Sequence, residues 1–303
     1  MYCSALEKVP ETGRWRFMDI SPRFEATLVE TAHQELLNEF KGKTLPYNHP
    51  LTRHIRHVVT RILESSNLGS LESPPAHALT RPVHTDDPWV TPTKHNANEM
   101  EWHLFVVNDD NMINAMASYG NIVVFTGILP VAKDQNGLAA VLGHEIAHVV
   151  ARHNSERYSS MKVFIFLASI MDLIGIPLSR FIATVLYELP NSRTQEVEAD
   201  KIGLKLSSRA CFDPSAVPEM FKRLAQVEQA QGGLSVPFLN THPSSTKRVE
   251  LLQELLPQAY EERAASNCDV ITDQFARFRD AFHHERVDHE RVDDDGAASW
   301  RWT

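Results

Sequence analysis

Residues 143–148 read Gly-His-Glu-Ile-Ala-His. His144 and His148 are four positions apart, and on a helix that spacing sets both imidazoles on one face. Two neutral imidazoles so placed can bind one zinc ion. Glu145 lies one residue round, where it reaches a metal-activated water without competing as a ligand. The chemistry this implies is hydrolytic: zinc lowers the pKa of water toward about 7, and the carboxylate takes the proton as the water attacks a carbonyl. The neighbours Val141, Leu142, Ile146, Ala147, Val149 and Val150 are apolar, so the ionisable groups among them need a reason to be buried.

Such a site needs a third protein ligand and an open fourth position. The stretch Ser192 to Leu204 offers Glu196 and Glu198. On a helix capped by Asn191 or Ser192, Glu196 shares its face with Ala199, Asp200 and Gly203, and the two small residues let that face approach the metal helix closely. Glu198 shares its face with Lys201, Ile202 and Lys205, a largely solvated set. Glu196 is therefore the expected ligand, and Glu198 a solvated or salt-bridged carboxylate. Asp200 is placed to accept the ring N–H of a ligating histidine. His153 falls on the opposite side of a helix running from about Asp134 to Arg157, where a solvated or structural role is expected. His242, in a loop before Pro243, is open to two readings: a metal- or substrate-directed residue, or an ordinary loop histidine.

The elements that must carry these residues follow from patterning. Ser21-Pro22 starts one helix and Pro50 a second, with Ile55, Val58, Val59, Ile62 and Leu63 as its apolar stripe. Trp102–Val107 and Asn121–Phe125 read as buried strands, and helical patterning dominates from Asp134 to about Leu256. The expected organisation is an N-terminal segment with helices over 1–66, a flexible Pro-rich insertion over 67–99, a catalytic domain over 100–256 and a charged tail over 257–303, in which His-Glu-Arg-Val-Asp occurs twice in succession. The fold class is α+β, mostly helical, with a small sheet packed on the helix of the His-Glu-Ile-Ala-His run.

Composition narrows the function. Acidic residues outnumber basic ones 39 to 30 for a net charge of −9, which argues against coating nucleic acid. Three scattered cysteines, Cys3, Cys211 and Cys268, lack CxxC spacing; they speak against a disulfide framework and for a reducing compartment. The N-terminus reads as neither a secretory signal nor a transit peptide. The most apolar tract, within 163–187, is broken by Asp172, Pro177 and Arg180, so no ordinary transmembrane helix is expected there; it reads as a buried or half-buried helical hairpin, with peripheral membrane association as the alternative.

The His-Glu-Ile-Ala-His run, followed 48 residues later by Glu196-Val-Glu-Ala-Asp200, resembles the gluzincin zinc metallopeptidases of the CAAX-protease and HtpX family. The likeness is strongest to its Oma-type branch of mitochondrial inner-membrane proteases. It is carried by Val9–Phe17, Val123–Pro130, Gly137–His153, Glu188–Leu204 and Thr241–Pro243. The resemblance implies one zinc ion held by His144, His148 and Glu196, Glu145 as catalytic base, Asp200 as the acid beside the site, and His242 as oxyanion stabiliser or as a cap on the zinc in a latent state. It implies that the strand around Ile122–Phe125 is the edge that pairs with an extended peptide substrate. The implied activity is endoproteolysis of misfolded or stress-regulated proteins at the mitochondrial inner membrane. The alternatives are an inactive zinc-binding chaperone or adaptor that keeps the fold, and a soluble intracellular location. Two departures stand out: Ser118-Tyr119-Gly120 replaces the branch's Pro-Gly-Gly, and no membrane-anchoring region precedes Val9.

Overall fold

The computed structural model describes residues 5–72, 100–173, 192–230, 236–243, 245–266 and 268. Most of the Pro-rich insertion, residues 174–187 of the apolar tract, Gly232-Gly233 and the repeat-bearing tail lie outside the described residues.

The chain opens with an antiparallel hairpin, β1 (Leu6–Lys8) and β2 (Trp15–Phe17), which the apolar pattern did not announce. Helix α1 (Pro22–Glu39) starts at Ser21, whose hydroxyl accepts from the Phe24 amide, and α2 (Pro50–Ser65) starts at His49; both carry proline in the first turn, where its missing N–H costs nothing. The α2 stripe Ile55, Val58, Val59, Ile62 and Leu63 is fully buried. A four-stranded sheet follows, built from β3 (Ser70–Leu71), β4 (Glu101–Val107), β5 (Ala115–Ser118) and β6 (Asn121–Phe125) in the order β3-β4-β6-β5. β4 runs parallel to β3 and β6, and β5 runs antiparallel to β6.

Two expectations change here. Ser70–Leu71, inside the stretch read as a flexible insertion, is a strand. And β6 is not an edge, because β4 covers one side and β5 the other. The hairpin that covers it turns through Tyr119 and Gly120, with φ of 50° and 81°, so both central residues are left-handed as in a type I′ turn. The edge on the β6 side of the sheet is β5, whose four residues (Ala-Met-Ala-Ser) lack the β-branched signature that made β6 legible.

A short helix α3 (Leu129–Ala132) leads to α4 (Gln135–Val150), capped by Asp134, which accepts from the amides of Asn136 and Gly137. α4 is buried on all sides from Gly137 to Val149, packed between β5, α2 and the helices that follow. The expected run to Arg157 is broken. Arg152 takes a φ of 54° and a new helix, α5 (His153–Leu173), departs from that elbow. α6 (Arg193–Arg209) begins with a capping box between Ser192 and Gln195. α7 (Ala216–Ala230), α8 (Pro237–Thr241), α9 (Thr246–Glu254) and α10 (Leu256–Ala265) complete the described chain. α10 packs against α6, so order extends beyond the expected start of the tail at 257. A disulfide joins Cys211, in the turn after α6, to Cys268, just past α10, with Cα atoms 5.3 Å apart. The reading of scattered free thiols fails because a separation of 57 residues carries no motif, and only the docking of α10 brings the pair together. No helix among the described residues is long and apolar enough to cross a membrane.

Candidate metal centre and active site

The site lies where α4 and α6 touch. A Cβ on Gly203 would stand 2.8 Å from the His144 amide nitrogen, and one on Gly143 would stand 2.9 Å from the Gly203 carbonyl oxygen. Only hydrogen at both positions allows this approach. It brings Glu196, in the first turn of α6, over the two imidazoles of α4.

Four donor atoms gather there, from His144, His148, Glu196 and His242, all four residues buried and all four atoms within 4.8 Å of one another. His144 and His148 bring their Nε2 atoms to 3.2 Å. Glu196 Oε2 is 3.4 Å from His144 Nε2, and its Oε1 is 3.4 Å from His148 Nε2. His242, at the C-terminal end of α8, puts Nδ1 3.3 Å from His144 Nε2 and 3.0 Å from Glu196 Oε1. Tetrahedral zinc with Zn–N distances near 2.0–2.1 Å sets ligand–ligand edges of about 3.3 Å. The donor set therefore matches zinc in both chemistry and spacing, with three imidazole nitrogens aimed at one point and a carboxylate to balance charge.

The supporting contacts are equally specific. His144 Nδ1 stands 3.1 Å from Asp200 Oδ1, the orientation that leaves Nε2 for a metal. Arg248 of α9, absent from the sequence expectations, grips Asp200 through Nε at 2.7 Å and Nη2 at 2.8 Å, and reaches Glu196 Oε2 through Nη1 at 2.9 Å. Glu145 Oε2 accepts from the Ala117 amide of β5 at 3.1 Å, while its Oε1 is 3.3 Å from His242 Nε2. Glu198 is 3% exposed rather than solvated; Arg14 of the hairpin bridges it and Glu156. His153 is not on the far side. The elbow at Arg152 swings it back until its Nδ1 is 2.8 Å from His148 Nδ1 and its Nε2 3.0 Å from Glu198 Oε2. Arg14 lies inside the Val9–Phe17 stretch that carries the resemblance, but nothing there marks it as a partner of Glu198, and Arg248 stands in none of those stretches; their contacts exist only after folding.

Charge follows position. Burial pushes the Glu145 carboxyl above the usual carboxylate range and His148 well below the imidazole range. Burial also works against charge on His144, but hydrogen bonds to Asp200 and Glu196 outweigh it and raise this ring to about 9. For Glu196 burial favours the neutral acid, yet hydrogen bonds from His144, His148 and His242 hold it well below the ordinary range. Asp200 is likewise held low, against burial, by Arg248 and His144. Beside His148 a cavity of about 270 Å³ opens between α1 and the elbow, walled by Ala26, Val29, Met100, Tyr119 and Val149 with Arg152 at its rim.

Residues 90–256 match the sequence profile of peptidase family M48. The chain belongs to peptidase family M48. It is a zinc metalloendopeptidase, as its buried donor set and its relatives in this family agree. The mitochondrial metalloendopeptidase OMA1 of Schizosaccharomyces pombe is 36% identical over 271 residues, covering 88% of this chain and 71% of that protein. The human mitochondrial metalloendopeptidase OMA1 is 30% identical across 89% of this chain, which spans half of the human protein's length. A putative β-barrel assembly-enhancing protease of Vibrio cholerae is 31% identical over 170 residues, covering 51% of this chain and 35% of that protein. Within the M48 match lie all four metal-facing residues, Glu145, Asp200 and Arg248. Arg14 lies outside it.

Proposed function

We propose that this M48 chain cleaves peptide bonds of misfolded or stress-regulated proteins at the mitochondrial inner membrane, with His144, His148 and Glu196 as zinc ligands and Glu145 as the proton-transfer residue. The observation that carries the reading is the convergence of those three ligands beside a buried carboxylate that binds none of them. The mitochondrial address rests on the relatives' names and the Oma-type motifs. The exposed apolar residues Val163 to Phe166 and Leu173 of α5 favour peripheral contact with a membrane surface.

When bound, zinc supplies Lewis acidity toward the scissile carbonyl and acidifies the attacking water. Glu145 Oε1 takes the proton of that water and later returns it to the leaving amine; its raised affinity for protons suits both transfers. Asp200, itself locked by Arg248, holds the His144 ring through Nδ1. The substrate adds as an extended strand to β5. In the β5–β6 hairpin, Ala115 and Ala117 occupy the positions whose amide and carbonyl groups point away from β6. The Ala117 amide already meets Glu145, so a peptide laid along this edge lies beside the base.

His242 Nδ1 completes the four-cornered donor set, whereas a catalytic zinc site keeps one corner open. That position supports the latch reading over the oxyanion reading. The decisive experiment compares zinc content and cleavage of an unfolded protein substrate across variants. Glu145→Gln keeps zinc and loses at least about a hundredfold in rate, His148→Ala loses zinc, and His242→Ala keeps three ligands and gains activity. Full zinc in His148→Ala overturns the site. A loss of about two to three orders of magnitude in His242→Ala restores the oxyanion role instead.

A further inference from the structure

The mechanism leaves one fully buried histidine without a task. His153 touches no substrate-facing group, yet both of its ring nitrogens are engaged, Nδ1 with His148 Nδ1 at 2.8 Å and Nε2 with Glu198 Oε2 at 3.0 Å. Glu198 in turn accepts from Arg14 Nη2 at 2.7 Å and Nε at 3.0 Å and from the Thr12 hydroxyl. Arg14 is held by Glu156 through two bonds of 2.7 Å. A neighbour in the same hairpin, Arg16, donates to the Ala151 carbonyl at the elbow itself. The N-terminal hairpin thus grips the α4–α5 elbow at two points, and one of them leads to the outer nitrogen of a metal-facing ring.

We infer that His153, Glu198 and Arg14 form a positioning relay that fixes the tautomer and orientation of His148, so that the N-terminal hairpin, outside the M48 match, sets the protein's affinity for zinc. The inference rests on His148 being a ligand. Its polarity follows from donor counting. The carboxylate of Glu198 can only accept, so the single N–H of a neutral His153 belongs on Nε2. Nδ1 of His153 is then an acceptor, and His148 must donate from its own Nδ1. That leaves the lone pair of His148 on Nε2, which faces His144 and Glu196. If Glu198 loses its place, His153 is free to carry its proton on Nδ1. His148 then turns an N–H toward the metal position and cannot ligate. Metal-binding histidines commonly rest their outer nitrogen directly on a carboxylate or carbonyl. Here a second imidazole stands between, and the carboxylate is held by a segment from the other end of the sequence.

The test is zinc affinity of the full chain by competition with a chromophoric chelator, with the visible bands of the cobalt(II)-substituted protein as a second readout. His153→Phe keeps an aromatic ring but breaks the relay, and binding weakens about ten- to a hundredfold. His153→Gln offers an amide oxygen and an amide N–H to the same two partners, and it restores affinity to within about threefold of wild type. Arg14→Ala, remote from the metal, weakens binding several-fold and shifts the cobalt bands in the same sense as His153→Phe. Wild-type affinity in both His153→Phe and Arg14→Ala overturns the relay, as does a glutamine variant no better than the phenylalanine one, which would make His153 a packing residue. Should His153→Phe not fold, the Arg14→Ala and His153→Gln results decide alone. Retention of zinc by His148→Ala would instead sink the site assignment on which the relay depends.

Discussion

Two groups of histidine and carboxylate sit side by side in this protein, and α6 contributes a glutamate to each. One joins His144, His148, Glu196 and His242; the other joins His153, Glu156 and Glu198. By residue type both could hold a cation. They differ in where the protein's own cation stands. Arg14 enters the second group and pairs with both of its carboxylates at 2.7 Å. Arg248 stands behind the first, pairing with Asp200 and with Glu196 Oε2, the oxygen that also faces His144, and leaves Glu196 Oε1 to the imidazoles of His148 and His242. A set of ligand-type residues is suited to a metal when its lone pairs converge and the neighbouring cation leaves a carboxylate oxygen free to face the imidazoles. The neighbouring set, with its guanidinium in place, becomes a support.

The largest contrast should come from removing one charge in each group. Glu196→Gln is expected to lower zinc affinity by at least a factor of about one hundred, and Glu198→Gln by no more than about tenfold, in chelator competition. Equal losses would erase the distinction between ligand and support.

Arg14→Ala probes the filled group in the metal-free protein. Burial of Glu198 and partial burial of Glu156 favour their acids, but the bonds from Arg14 outweigh this and hold both carboxyls below the ordinary range. Carboxylates depressed in the folded state stabilise it fully above the unfolded value of about 4.3, and the contribution is lost as pH falls through the folded values. Arg14→Ala should therefore cost about 2 kcal/mol at pH 7 in denaturant unfolding. The gap to wild type should close as pH is lowered from 5 toward 3. A gap that is constant with pH would assign the effect to packing.

The mildest intervention is Gly203→Ala, which presses a methyl group against the His144 amide. It should destabilise the protein by about 1–2 kcal/mol through overpacking and weaken zinc binding, while the Arg14–Glu198 pair is untouched. An unchanged thermal midpoint would mean that the close approach of α4 and α6 is not what sets the first group.

How much of this was legible varied with the range of the interaction. The pairing of His144 with His148 was legible because a helix period of 3.6 residues is local. So was the placement of Glu196, rather than Glu198, beside those imidazoles, since Ala199 and Gly203 mark the face that can approach closely. The strands β4 and β6 were legible from their β-branched and aromatic runs, whereas β5 and the N-terminal hairpin, short and mixed in composition, were not. His153 was misplaced for a single reason: the helix was extended past Ala151, and one left-handed residue, Arg152, turned it back toward His148.

The amino-acid sequence by itself determined that two imidazoles and a carboxylate share one stretch of helix, because His144, Glu145 and His148 sit at spacings that helix geometry converts into a cluster. Tertiary structure alone decided what surrounds that site: the β5 edge beside Glu145, Arg248 behind Asp200, the Cys211–Cys268 bridge, and the line from Arg14 to His148. The physical reason is distance along the chain. Periodicity constrains residues a few positions apart, while contacts such as that between Arg14 and Glu198, 184 residues apart, depend on how buried charges find partners once the whole chain has packed.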